Sequence, residues 1–150
     1  MRHLSRRPTA GFTAVELALT LAVVGLLTAM SMPRVGRTLQ HMRVNRATAT
    51  VAADLEQAFS TSARMRKPIR VTFNTAALSY TLADRSGGTV RLTRSLTAPD
   101  YQLQSLAATT TPLDVFPSGV ATASDTVTIG SGGYTRRIVV TSAGLVRILP

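Results

Sequence analysis

The stretch "RRPTAGFTAVELALTLAVVGLLTAMSMP", Arg6 to Pro33, places one carboxylate, Glu16, inside an apolar run. From Phe12 to Met32 there are 21 residues, of which 15 are apolar and only Glu16 is charged. As a helix the run spans roughly 31 Å, the thickness of a bilayer's hydrocarbon core. A secretory signal carries a shorter apolar core, about 7–15 residues, and a small-residue cleavage site. "TAMSMP" offers no such site. The run therefore reads as a membrane-crossing helix. A plain anchor has no use for Glu16, because an intramembrane carboxylate without a partner costs on the order of a few kcal/mol. Glu16 is thus a candidate functional residue.

Outward from that run, the chain has 150 residues and a formal net charge of +10, and all of its 17 basic residues except Lys67 are arginine. Three of them, Arg2, Arg6 and Arg7, precede Gly11. Without that leader, fourteen basic residues face seven acidic ones, a net charge of +7. This balance suits anionic partners: nucleic acid, lipid headgroups or an acidic protein face. Hydrophobic residues make up 45% and aromatics 5%, with no Trp, so the core has to be built from Ala, Val, Leu and Ile. The absence of cysteine excludes a disulfide framework and thiolate metal sites, and it leaves the compartment open.

"GFTAVE", Gly11 to Glu16, preceded by a short basic leader and followed by an uninterrupted apolar run, resembles the leader-peptidase recognition sequence of type IV prepilins and pseudopilins. The resemblance implies cleavage by a prepilin peptidase between Gly11 and Phe12, N-methylation of Phe12, and Glu16 as the fifth residue of the mature chain. Each part has a physical reason. Gly11 leaves the scissile bond without a side chain, open to a membrane-embedded protease. The leader arginines hold that end at the anionic cytoplasmic face. Once Gly11 is removed, Phe12 carries a positive amine, and in a filament a neighbour's amine can pair with Glu16. Gly25 and Pro33 weaken a helix locally, at places where pilin-like helices also carry such residues, and complete the implied assembly set. Arg34, Arg37, Arg43 and Arg46 follow the run, so charge flanks both ends and the positive-inside rule gives no orientation. The implied localisation is a single-pass bacterial inner-membrane protein with its C-terminal domain in the periplasm. The segments are then a leader (1–11), a transmembrane and assembly helix (12–33) and a periplasmic domain (34–150).

Val35, Leu39 and Met42, then Val51, Leu55, Ala58 and Phe59, recur at spacings of three and four, which predicts an amphipathic helix to about Arg66, stopped by Pro68. Seven strands are predicted beyond it: 69–73, 78–82, 90–96, 113–116, 126–129, 136–140 and 145–149. Ser86-Gly87-Gly88 makes a hairpin turn, and 97–112 is read as a loop. The fold class is α+β, a long N-terminal helix packed on an antiparallel β-sheet domain. "VFPSG…TVTI…RRIVVTSAGLVRI" is similar to the GspH/FimT-like branch, which comprises minor pseudopilins of type II secretion and minor pilins. That implies a non-enzymatic filament subunit supporting protein secretion, with other pilins or pseudopilins, the inner membrane and secreted cargo as partners; the alternative is a pilus subunit in DNA uptake or adhesion.

No catalytic constellation appears. His3 and His41 stand alone without cysteine, Asp54 and Glu56 are two apart and face different ways on a helix, and "GSGGY" lacks the Lys and Ser/Thr of a phosphate loop. No metal or cofactor is expected. Arg64, Arg66 and Lys67 suit a helix C-terminus. Tyr134, Arg136, Arg137 and Arg147 are a candidate anion- or DNA-binding patch, with a solvated strand face as the plainer reading.

Overall fold

The computed structural model describes residues 11–150, and residues 31–34 only by their place in the helix. Arg2, His3, Arg6 and Arg7, and the side chains of Pro33 and Arg34, lie outside the described residues. The chain divides into two compact units, Met1–Gly36 and Arg37–Pro150.

Helix α1 (Ala14–Met65) has 52 residues, close to the length expected. It passes through Gly25 and Pro33 without ending. Arg66 then adopts a left-handed φ of 53°, a conformation common just past a helix end, and Pro68 cannot continue the helix. At that end Ser62 Oγ lies 2.8 Å from the Lys67 carbonyl and 3.1 Å from the Val115 carbonyl, so one hydroxyl ties the helix to a strand.

Eight strands follow rather than seven, in two antiparallel sheets. β1 (Ile69–Asn74), β2 (Ser79–Asp84), β3 (Val90–Ser95) and β5 (Leu113–Val115) form one, in the order β3-β2-β1-β5. β4 (Ser105–Ala108), β6 (Asp125–Ser131), β7 (Tyr134–Val140) and β8 (Val146–Leu149) form the other, in the order β4-β6-β7-β8. β4 corrects the reading of 97–112 as loop. Its sequence, "SLAA", has no β-branched or aromatic residue, so nothing local marks it; pairing of Leu106 with Ile129 across to β6 creates it.

The amphipathic stripe also differs from the expectation. The buried helix positions are Val44, Ala47, Thr48, Val51, Ala52, Asp54, Leu55, Ala58 and Ser62, whereas Val35, Leu39 and Met42 are exposed. At 3.6 residues per turn, Val44 lies about 200° around the helix from Met42. The two apolar stripes therefore occupy opposite faces. Only the second meets the sheets, where Ile69, Val71, Phe73, Tyr80 and Leu82 of one sheet and Leu106, Val127, Ile129, Ile138 and Val140 of the other close one core. Small side chains at Ala47, Ala52 and Ala58 share this core with the aliphatic residues of the sheets, and Phe73 and Tyr80 are its large rings.

Polar contacts fix the register of helix on sheet. Tyr80 and Arg94 are paired across β2 and β3 and converge on buried Asp54. The Tyr80 hydroxyl donates to Asp54 Oδ2 at 2.5 Å, and Arg94 donates from Nε and Nη2 to both carboxylate oxygens at 2.7 and 3.2 Å. Burial, and then the hydrogen bond to Asp54, pushes the Tyr80 phenol far above its ordinary value, so it remains a donor. Arg70 donates to Asp114 at 2.7 and 3.0 Å while Arg85 pairs with the same carboxylate at 3.1 Å. Hydrogen bonding from Arg70 holds the Asp114 carboxyl below the usual range, and Arg91 does the same for Asp84.

Asp54→Ala should destabilise the full chain in detergent by about 3 kcal/mol, because it strips two partners at once. Tyr80→Phe, which leaves the Arg94 pair intact, should cost about 1 kcal/mol. Urea midpoints in the reverse order would contradict this account. The lowered carboxyls set the acid limit. Their stabilisation is present above about pH 4, where the unfolded chain is also ionised, and is lost as pH falls through the lower folded values. Melting temperatures should be level between about pH 7 and 5 and drop below about 4. Asp114→Asn should flatten part of that drop.

Candidate functional site

The first unit begins with a helix cap. The Thr13 hydroxyl accepts the Glu16 backbone N–H at 3.2 Å, and the Thr13 carbonyl accepts the Leu17 N–H at 3.1 Å. Thr13-x-x-Glu16 is a capping-box pattern, legible in the sequence and missed in its reading. Only half of the box is made. The Glu16 carboxylate has no partner among the described residues, although its charge sits favourably in the first helical turn. The carboxylate remains uncommitted.

Every described residue from Gly11 to Met30 is exposed, with Phe12 at 78%, and the apolar side chains point in all directions around the helix. A helix apolar on every side requires a lipid or protein environment. The run qualifies by length and hydropathy as a membrane-crossing segment. Two of its hydroxyls are internally satisfied: Thr20 donates to the Leu17 carbonyl and Thr28 to the Val24 carbonyl, both at 2.8 Å. Such bonding suits a medium without water. Gly11 is exposed, Gly25 has no atom within 4 Å of where a Cβ would stand, and Pro33 is described only as helical backbone.

In the second unit, the four residues of the candidate basic patch are divided between two faces. Along β7, Tyr134 and Arg136 share the face of buried Ile138 and Val140, while Arg137 lies on the other. Arg147 is paired with Val139 and so joins Arg137 on that outer face. Tyr134 stacks on His41, with ring centroids 4.0 Å apart and planes at 17°, and its hydroxyl shares Asn45 Oδ1 with Arg136 Nε at 3.3 and 3.1 Å. The aromatic ring is thus occupied in holding the β6–β7 hairpin on α1. His41 and Asn45 are structural anchors that spacing alone did not reveal. Gly132 adds a third contact, since a Cβ there would overlap the Gln40 amide, and its N–H donates to Gln104 Oε1 at 2.9 Å. Among the described residues no group of three or more His, Asp or Glu gathers as a metal site.

A family model described as type II transport protein GspH matches residues 47–144. No curated protein matches the chain. Two crystal structures of the type IV minor pilin FimU of Pseudomonas aeruginosa (strain PAO1) have similar folds. The form in space group P65 is 16% identical with a TM-score of 0.57, over 71% of this chain and 92% of that one. The form in P21 is 14% identical with a TM-score of 0.59, over 73% and 90%. The α+β architecture, a long helix packed on antiparallel sheets, is therefore that of minor pilins.

Gly132→Ala tests the hairpin anchor against its neighbour. Both Gly132 (φ 60°) and Gly133 (φ 81°) have left-handed backbones, but only Gly132 faces Gln40. Each substitution should cost about 1 kcal/mol of backbone strain. Gly132→Ala alone should also shift the His41 ring resonances, because displacing Gln40 disturbs the adjoining stack. Equal shifts in the two variants would show that the Gln40 contact anchors nothing.

Proposed function

The chain belongs to the family of the type II transport protein GspH, and from that membership we propose that it is a minor pseudopilin, a structural subunit of a type II secretion pseudopilus. Prepilin peptidase removes residues 1–11, the new amine of Phe12 is methylated, and the subunit stands in the bacterial inner membrane with its domain in the periplasm. Assembly draws the apolar helix out of lipid and packs it against those of other pseudopilins, and the filament supports movement of secreted cargo.

The observation that carries this reading is the uncommitted carboxylate of Glu16 at the head of a helix apolar on every side. In lipid an unpaired carboxylate is costly; beside a neighbour's Phe12 amine it becomes an ion pair in low dielectric. The difference favours the assembled state. Gly25 and Pro33 give the helix places to loosen as it packs.

A second reading, a minor pilin of a type IV pilus acting in DNA uptake or adhesion, is favoured by the likeness in fold to FimU. In that case Arg137 and Arg147, together on the outer face of β7 and β8, are the residues for an anionic strand. Salt-dependent DNA binding lost in Arg137→Gln/Arg147→Gln would favour the pilus; capture by secretion-platform subunits would favour the pseudopilus.

Intact mass and N-terminal sequencing of protein from membranes containing active prepilin peptidase should give a chain starting at Phe12, heavier by one methyl group than the cut product. Glu16→Ala should be cleaved normally yet be depleted from filaments, while a bulky residue at Gly11 should block cleavage. A chain still beginning at Met1 beside a processed control substrate would refute the processing step, and normal incorporation of Glu16→Ala would refute the pairing.

A further inference from the structure

Between α1 and the β3–β4 loop, within Arg37–Pro150, lies a notch of about 370 Å³ lined by Leu39, Met42, Arg43, Arg46, Pro99 and Asp100. Leu39 is 47% and Met42 61% exposed, on the helix face opposite the core stripe. Arg43 and Arg46 enter no ion pair among the described residues; every carboxylate that is paired there, Asp54, Asp84 or Asp114, is taken by another arginine. Asp100, the one acid in the notch, pairs with neither. Two guanidinium groups without an ion pair therefore line the notch beside two exposed apolar side chains.

We propose that this notch holds the headgroup of an anionic phospholipid, with its phosphate between Arg43 and Arg46 and its glycerol and first acyl carbons on Leu39 and Met42. The inference rests on the reading of the N-terminal run as membrane-inserted. Three observations favour a lipid over an acidic protein segment. The surface is amphiphilic at the scale of one headgroup, with Arg43 and Arg46 beside Leu39 and Met42 along one helix face. Its helical residues, Leu39 to Arg46, follow Pro33 by only six to thirteen positions in the chain, so an inserted subunit has headgroups at hand. Arg34, Arg37, Arg43 and Arg46 follow the apolar run with no acidic residue before Asp54, so the sequence supplies them no neighbouring counterion. Anionic headgroups supply the missing charge.

The test uses the full chain in phosphatidylcholine nanodiscs with ¹³C-methyl methionine, titrated with dihexanoyl phosphatidylglycerol. The Met42 methyl should shift saturably while Met65, at the far end of α1, stays still. Arg43→Gln/Arg46→Gln should weaken the response about thirtyfold, from two guanidinium–phosphate attractions, with an unchanged melting temperature. Dihexanoyl phosphatidylcholine and inorganic phosphate should leave Met42 unmoved. A silent Met42, an undiminished response in the double variant, or equal responses to either control would overturn the proposal. So would a stronger response to a polyglutamate peptide, which would assign the notch to an acidic protein. Broadening of Met30 by doxyl-labelled lipid reports insertion separately. A broadened Met30 with a silent Met42 refutes the lipid notch alone, whereas an unbroadened Met30 refutes the membrane reading beneath it.

Discussion

Helix α1 changes its apolar face between Met42 and Val44, and the rest of the domain depends on that half-turn. Up to Met42 the described apolar side chains stand exposed; from Val44 onward the opposite stripe is shut inside the domain. A continuous stripe on one face would have demanded either a longer sheet or an exposed core. The switch lets one helix present apolar surface outward near the start of the domain and inward along the sheets, without a break in its backbone hydrogen bonding.

The inward face is an unusual core for its composition. With aromatics at 5% of the chain, the two sheets supply mostly aliphatic bulk beside Phe73 and Tyr80, and they close on a helix stripe of alanines, valines, Leu55 and one buried threonine. Polar and charged groups are buried along with this core, and they need partners. Asp54 meets Tyr80 and Arg94, Ser62 meets two carbonyls, and Asp125 Oδ1 accepts the Thr109 and Thr110 N–H groups at 2.9 and 2.8 Å. Apolar burial alone leaves a helix free to slide along a sheet of similar side chains. Polar contacts of defined direction remove that freedom.

Much of this was legible because the signals were local. An unbroken apolar run long enough for a membrane helix, and seven alternating strands bounded by Gly, Pro and Ser, are patterns over a few residues. What escaped depended on distant residues. β4 exists because Ile129 and Val127 offer it a partner, and "SLAA" alone reads as coil. Leu39 and Met42 fit a helical period perfectly, yet periodicity specifies a stripe without saying what covers it. Tyr134, Arg136, Arg137 and Arg147 are close in sequence or strand order, but the twofold alternation of a strand sends neighbours to opposite faces, and that rule was available from the start.

Glu16 shows how one residue type can be demanded twice by physics. A helix beginning at Ala14 leaves its first N–H groups without acceptors, and in an apolar medium each is costly. Thr13 answers one of them, at the Glu16 backbone. In the complete capping box the glutamate side chain would fold back to the Thr13 N–H and consume its own charge locally. Here it does not, so the carboxylate keeps the favourable field of the helix N-terminus while its hydrogen-bonding capacity stays open. A chain that needed only an anchor would gain stability by closing the box or by placing leucine there. On the proposed reading, the half-open box keeps an acceptor at the head of the helix for the amine of a neighbouring subunit.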